Sequence, residues 1–120
     1  MDHQHVIDEL RAPTRDLRQA IPDAWAAFSD LHRAALRDGV VPARVKEAVA
    51  LALSVANGCD GCIAYHARAA ARAGATPEEV AEVLAVTLLM EGGPATIYAP
   101  RAWEAYVQFR SDGEARPHPG

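Results

Sequence analysis

Every cysteine in the chain lies in one ten-residue stretch, NGCDGCIAYH, which runs from Asn57 to His66. Cys59 and Cys62 are three residues apart, and His66 follows four residues later. Residues at these spacings lie on one side of a helix, so the two sulfurs and the imidazole can meet. The free N–H groups at a helix N-terminus favour a thiolate, and an imidazole exchanges protons near neutral pH. The stretch therefore predicts thiol–disulfide chemistry assisted by a histidine.

Glu47 is the fourth candidate, because it stands inside the apolar run VKEAVALALSV. If its helix packs antiparallel against the cysteine helix, the carboxylate would face the sulfurs and act as a base towards a thiol. The alternative is a carboxylate solvated beside Arg44 and Lys46. Asp60, between the cysteines, is expected to oppose thiolate formation somewhat.

A zinc site is the competing interpretation, since Cys59, Cys62, His66 and Glu47 offer four ligands. Structural zinc sites usually draw on two separated ligand pairs, and the sequence has no second CxxC and no HxxxH. Covalent haem is not predicted because Ile63, rather than a histidine, follows Cys62. A thioredoxin fold is not predicted because no βαβ pattern flanks the motif. We therefore predict neither a metal nor a cofactor.

The composition points to a small helical protein. The chain has 120 residues, of which 50% are hydrophobic and only 6% aromatic, and this balance favours helices over strands. The net charge of −4 and the lack of a basic stripe argue against nucleic-acid binding. No apolar stretch suits a bilayer, and the N-terminus lacks a secretory pattern. The predicted location is the cytoplasm, where a close cysteine pair is more often catalytic or metal-binding than structural.

The predicted fold is all-α. The first segment, with Pro13, is expected to form only a weak, interrupted helix, whereas Thr76, Pro77 and Glu79 make the clearest helix start in the chain. The expected helical segments are 2–18, 22–38, 42–57, 59–73, 77–91 and 95–110.

Periodicity predicts which faces are apolar. The third segment is expected to bury the stripe Val45, Val49, Leu53 and Ala56, and the fifth segment the stripe Val80, Val83, Leu84, Thr87 and Leu88. The aromatic residues expected in the core or at a subunit interface are Trp25, Phe28, Trp103, Tyr106 and Phe109.

The remaining polar and aromatic residues carry weaker signals. Tyr65 and Tyr98 are expected to pack in the core rather than line a substrate pocket. Arg68 and Arg72 are expected on a solvated face, from which they would favour a thiolate if an oligomer brought them near. The histidines that lack a partner pattern, and that we assign to the surface, are His3, His5, His32 and His118.

These residues resemble the signature of a known family. Glu47 is followed by eleven residues, Cys59-Asp60-Gly61-Cys62, three residues and His66. The pattern is similar to that of the alkylhydroperoxidase D-like (AhpD-like) branch of the carboxymuconolactone decarboxylase superfamily. The similarity extends over about residues 42–106, including the glycine before Thr76 and the Gly-Gly-Pro break at 92–94.

The resemblance implies one all-helical domain over residues 1–110, with a two-helix core, assembled as a homotrimer or homohexamer. Residues 111–120 are expected to form a disordered tail. It also implies a hydroperoxide reductase in which Cys62 is the peroxidatic thiol and Cys59 the resolving thiol. Glu47 would relay protons towards Cys59, and His66 towards Cys62. An external dithiol, either a lipoyl-bearing adaptor or a thioredoxin-like donor, would restore the pair.

One position departs from the family type, and two other functions stay open. The best-studied type has a histidine immediately before the second cysteine, where this chain has Gly61, so the relay is expected to be one group short.

A carboxymuconolactone decarboxylase-like enzyme is the second hypothesis. The intact CxxC and the lack of an obvious acid-binding cluster of histidine or arginine argue against it. The third hypothesis is a thiol redox sensor or binding module whose disulfide switches assembly.

Overall fold

A computed structural model describes residues 1–115, which form six α-helices and, within that range, no strand. The all-α prediction is confirmed. The helices are α1 (His3–Ala20), α2 (Pro22–Leu36), α3 (Ala43–Asn57), α4 (Asp60–Ala73), α5 (Pro77–Glu91) and α6 (Ala95–Ala115). None of them is long and apolar enough to cross a bilayer.

Helices α3 and α4 form the centre of the fold, and α4 also packs broadly on α6. Their shared core is rich in alanine, which lets helix axes approach closely. The fully buried members on α4 and α6 include Ile63, Ala64, Ala67, Ala70, Ala102, Ala105 and Tyr106. The cysteine helix is therefore the most enclosed element of the molecule, and its position is fixed from two sides.

A glycine makes the turn between α3 and α4. Gly58 has a φ of +62°, which L side chains rarely adopt, and a Cβ there would stand 3.2 Å from the ring of Tyr98. Both the backbone conformation and the close ring favour glycine. The turn leaves a single residue, Cys59, before the first residue of α4.

Helix α1 differs from its prediction because it continues through Pro13 without interruption. Asp2 caps it by accepting the backbone N–H groups of Gln4 and His5. Ile7 is buried against the core. This anchoring of the first turns outweighs the single hydrogen bond that a proline removes from a helix.

The predicted buried stripe of α3 is wrong. Val49 and Leu53 are exposed, and the buried residues of α3 are Glu47, Ala48, Leu51, Ser54 and Val55. Helix α3 is apolar almost all round, so its aliphatic pattern does not single out the face that meets α4. On α5 the prediction holds for Val80, Leu84 and Thr87, whereas Leu88 is exposed.

The aromatic residues divide between the core and the surface. Tyr106 and Phe109 are buried as predicted, Trp25 is half-buried, and Phe28 and Trp103 are exposed. Phe28 belongs to α2, which contributes no buried residue and packs only sparsely on α1 and α3. Helix α2 is therefore an outlying element with an uncovered apolar face.

Helix α6 extends five residues beyond its expected end, through residues that we predicted to belong to a disordered tail. An ion pair between Arg110 and Glu114, 3.4 Å apart, joins successive turns of this extension. The rest of the predicted tail, residues 116–120 with His118, lies outside the described residues.

Candidate active site

The two cysteines form a disulfide at the N-terminus of α4, with their Cα atoms 5.3 Å apart. Cys59 is the N-cap residue, and its Sγ accepts the backbone N–H of Cys62 at 3.2 Å. Cys62 is exposed, whereas Cys59 is half-buried. An external reactant can therefore reach the Cys62 sulfur. The Cys59 sulfur sits where a backbone donor and the helix dipole stabilise negative charge.

Glu47 reaches the site from α3, where it is buried. Its Oε2 lies 2.9 Å from Nδ1 of His66 on α4. The alternative of a solvated carboxylate is wrong, since the neighbouring cations are engaged elsewhere. Arg44 pairs with Glu79 at 3.2 Å, and Lys46 donates to the carbonyl of Arg37 at 2.8 Å.

The link between Glu47 and His66 adds something that the sequence did not predict. The family resemblance implied a separate cysteine partner for each residue, whereas the structure joins the two side chains to each other. Within residues 1–115, no hydrogen bond connects either side chain to a sulfur. All four residues nevertheless line one cavity, so the carboxylate, the imidazole and the two sulfurs share a single reaction space.

His32 is a site residue that sequence reasoning missed. Its ring centroid lies 6.2 Å from that of His66, with the planes inclined by 21°, and it lines the same cavity. Phe28, one turn earlier on α2, lies 6.4 Å from the His32 ring. The spacing of Phe28 and His32 indicates a shared helix face, but only tertiary packing shows that this face turns towards His66.

The position of Gly61 is covered by α1. A Cβ at Gly61 would stand 3.2 Å from Cδ1 of Leu10, which is tighter than most contacts of real Cβ atoms. A histidine here would require Leu10 to move. Glycine, in place of the family type's histidine, therefore leaves room for Leu10 of α1 to pack over the cysteine turn.

Asp60 forms an ion pair that offsets its negative charge near the cysteines. Both of its carboxylate oxygens lie 3.3 Å from Nη1 of Arg101 on α6. The Arg101 guanidinium also lies over the ring of Tyr98, 5.3 Å from its centroid. This partner offsets the charge of Asp60, so the opposition expected from the sequence is reduced.

The cavity has a volume of about 1000 Å³ and lies between α4, α1 and α2. Val6, Leu10 and Phe28 supply apolar walls, and Arg68 and Arg72 also line the cavity. Arg72 is exposed, as predicted, and Arg68 is half-buried. Tyr65 packs against the core as predicted and also lines the cavity. Within residues 1–115, no three His, Cys, Asp or Glu side chains are placed together to hold a metal ion.

The sequence profile of the carboxymuconolactone decarboxylase family matches residues 22–105 of this chain. The chain belongs to the carboxymuconolactone decarboxylase family. An uncharacterised Cupriavidus necator protein is 49% identical over 96 residues, which are 80% of this chain and 85% of that protein. An uncharacterised Haemophilus influenzae protein is 46% identical over 91 residues, which are 76% of this chain and 80% of that protein.

A solved relative has the same architecture. The apo crystal structure of a carboxymuconolactone decarboxylase family protein from Legionella pneumophila superimposes with a TM-score of 0.87 at 35% identity, covering 90% of this chain and 96% of that one. The six-helix arrangement, with the cysteine pair at a helix N-terminus, is therefore that of the carboxymuconolactone decarboxylase and AhpD-like fold.

Proposed function

We propose that this protein is a thiol-dependent hydroperoxide reductase that cycles through the Cys59–Cys62 disulfide. The observation that carries the proposal is a close cysteine pair opening into the same cavity as a buried Glu47–His66 hydrogen bond. A fold alone does not define a reaction, since one fold serves many functions. This set of groups supplies both a nucleophile and a proton carrier, which peroxide reduction requires.

The proposed reaction begins with the reduced pair. The Cys62 thiolate attacks the terminal peroxide oxygen, the O–O bond breaks, and the alkoxide leaves as an alcohol with a proton from His66. Cys62 is then a sulfenic acid. The Cys59 thiol then gives its proton to the relay and attacks that sulfur. The S–O bond breaks, the leaving hydroxide takes this proton from the relay and departs as water, and the disulfide forms. The exposure of Cys62 and the N-cap position of Cys59 support this division of roles.

Glu47 acts through His66. The Glu47 carboxylate accepts a hydrogen bond from Nδ1–H of the imidazole, which leaves Nε2 as the atom that exchanges a proton with the reactants. Burial of the carboxylate fixes the ring in one orientation. We include His32 in this relay as a second imidazole between His66 and solvent, partly replacing the group that is missing at Gly61.

The partners belong to the proposal as well. An external dithiol, from a lipoyl-bearing adaptor or a thioredoxin-like donor in the cytoplasm, attacks the exposed Cys62 sulfur and releases Cys59. Assembly as a homotrimer or homohexamer would cover the exposed apolar side chains of α2, α3 and α5. These are Phe28, Leu31, Val49, Leu53, Val86, Leu89 and Met90.

The structure changes the case against a decarboxylase-like enzyme in one respect. We expected no acid-binding cluster near the cysteines, but Arg68 and Arg72 line the cavity. The cysteine pair still favours the peroxidase, because decarboxylation of a lactone acid has no use for a disulfide. A redox sensor uses the same groups but needs no turnover.

Thiol counts on the reduced protein test the proposal. One equivalent of tert-butyl hydroperoxide should remove both thiols from the wild type. Cys62→Ser should not react, and Cys59→Ser should stop at the sulfenic acid. Repeated turnover with a dithiol donor separates a peroxidase from a sensor, which oxidises once and stalls. Thiols that do not react with the peroxide would refute the proposal.

A further inference from the structure

Two arginines line the cavity away from the disulfide. Arg68 and Arg72 lie six and ten residues after Cys62 on α4. At a rise of 1.5 Å per residue, they are roughly 9 to 15 Å from Cys62 along the helix axis. The cavity therefore has a reactive sulfur at one end and two positive charges at the other.

These charges have no acidic partner among the described residues. Within residues 1–115, no carboxylate forms an ion pair with Arg68 or Arg72. Two acidic residues of α1 lie on that side and pair within α1. Glu9, which also lines the cavity, contacts His5 at 2.9 Å, and Asp8 pairs with Arg11 at 3.4 Å.

The environment of Arg68 would favour an anion. Its guanidinium lies over the ring of Tyr65, 5.5 Å from the centroid. Burial, and then the positive charge of Arg72, lower the pKa of Arg68 from its ordinary value. Both effects act against the charged form, and a bound anion would relieve both. A carboxylate suits this place because guanidinium groups bind it with paired hydrogen bonds.

The wall between the charges and the sulfur is mostly apolar. Ala69 and Ala73 lie on α4 between or beside the arginines, and Val6, Leu10 and Phe28 line the cavity from α1 and α2. The polar residues Tyr65 and His66 line it closer to the sulfur. Such a surface favours a hydrocarbon chain over a polar one. The volume of about 1000 Å³ is at the upper end of the range for small-molecule sites.

We infer that the cavity binds an amphipathic carboxylic acid, with its carboxylate on Arg68 and Arg72 and its chain directed towards Cys62. With a C–C bond of about 1.5 Å, an extended chain advances roughly 1.3 Å per carbon, so 9 to 15 Å corresponds to roughly seven to twelve carbons. The preferred substrate is then a fatty acid hydroperoxide whose peroxide group is that far from the carboxylate.

The claim that the bound acid carries a peroxide group rests on the proposed function. The claim that the two arginines bind a carboxylate does not. The reaction balances as ROOH plus the protein dithiol giving ROH, water and the disulfide. The O–O bond breaks, the S–S bond forms, and the carboxylate is unchanged. The external dithiol then accepts the oxidising equivalents.

The test compares oxidation rates of the reduced protein with three peroxides. They are an eighteen-carbon fatty acid hydroperoxide with its peroxide group near the middle of the chain, the methyl ester of that compound, and tert-butyl hydroperoxide. The wild type should react about tenfold faster with the acid than with the ester, as one charge-assisted contact supplies. In the Arg68→Gln/Arg72→Gln double variant the acid-to-ester ratio should fall to about one. Arg110 lies outside this cavity, so the Arg110→Gln variant should keep the wild-type acid-to-ester ratio.

A binding measurement separates this inference from the proposed function. The parent fatty acid, without a peroxide group, is titrated against the oxidised wild type and the double variant. Binding that depends on the arginines, with thiols inert to every peroxide, would support the acid site and refute the peroxidase. Reduction of tert-butyl hydroperoxide, with equal acid and ester rates and no arginine-dependent binding, would overturn this inference alone.

Discussion

Two histidine–glutamate pairs that join different helices have nearly the same bond length and opposite burial. His66 and Glu47 are 2.9 Å apart, with side chains 23% and 10% exposed. His3 and Glu104 are 2.8 Å apart, with side chains 1% and 54% exposed. In the first pair the carboxylate is enclosed and the imidazole opens into the cysteine cavity. In the second pair the imidazole is enclosed and the carboxylate faces solvent.

The contrast separates a chemical role from a structural one. A buried carboxylate that orients a partly open imidazole leaves that ring free to exchange protons with a reactant. A buried imidazole is closed to reactants, and His3 has no partner for its Nδ1 among the described residues. The second pair holds α1 against α6, since the backbone N–H of His3 also donates to Gln108 at 3.1 Å. It provides a matched control for the first.

The largest effect is expected from His66→Gln. Loss of the imidazole should slow oxidation of the reduced thiols by tert-butyl hydroperoxide about 100-fold, which is the lower end of the range for general acid–base groups. Stopped-flow measurement of thiol loss gives the rate.

His3→Gln is the control for this change. It should leave the oxidation rate within about twofold of the wild type and lower the free energy of unfolding by about 2 kcal/mol, because a fully buried side chain is replaced. Equal loss of rate in both variants would show that His66 supports only the fold.

A smaller effect is expected from Glu47→Gln. The amide oxygen can still accept a hydrogen bond from Nδ1–H, but the negative charge that stabilises an imidazolium is lost. The oxidation rate should fall about tenfold, and a pH–rate profile should change shape, which a purely structural role would not cause.

Glu104→Gln provides the corresponding control, and its pH–rate profile should match the wild type. A Glu47→Gln profile that also matched the wild type would remove Glu47 from the relay.

The rate of oxidation by the peroxide should fall about threefold in His32→Gln, since the His32 ring reaches the reactants only through His66 or water. The decrease should be confined to peroxide oxidation, and reduction of the disulfide by an external dithiol should keep its rate. Phe28→Leu, one turn away on the same helix, controls for a shift of α2. If Phe28→Leu slowed oxidation as much as His32→Gln, packing of α2 rather than the imidazole would be the cause.

Local spacing made much of this architecture predictable. The capping box of Thr76 and Glu79, the glycine after α3 and the cysteine–histidine spacing all act within a few residues, and the structure confirms each as a helix end or a shared face. The placement of Glu47 against the cysteine helix followed from one apolar run and one packing assumption.

Features that depend on distant contacts were not predictable. The inward face of α3 was misassigned because Val49 and Leu53 form a more regular aliphatic stripe than the buried face, where Glu47 and Ser54 interrupt the apolar residues. The position of His32 depends on how the outlying helix α2 turns its face. The arginines of α4 line a cavity only because α1 and α2 supply its other walls. Each of these outcomes is decided by packing between elements, which periodicity within one element does not contain.

The smallest effect concerns acid stability, and it belongs to the structural pair. The hydrogen bond from His3, followed by contacts with the Met1 amino group, holds the pKa of Glu104 below its ordinary value of 4.5. A carboxylate with a depressed pKa contributes stability above its unfolded pKa, and this contribution is lost as pH falls through the lower folded value. Thermal melts between about pH 6 and pH 3 should therefore show a steeper loss of Tm in the wild type than in Glu104→Gln. Because the carboxylate is exposed, salt should shrink the difference between the two curves. Parallel curves would mean that the contact does not stabilise the fold, and the buried His3 would then be held by packing alone.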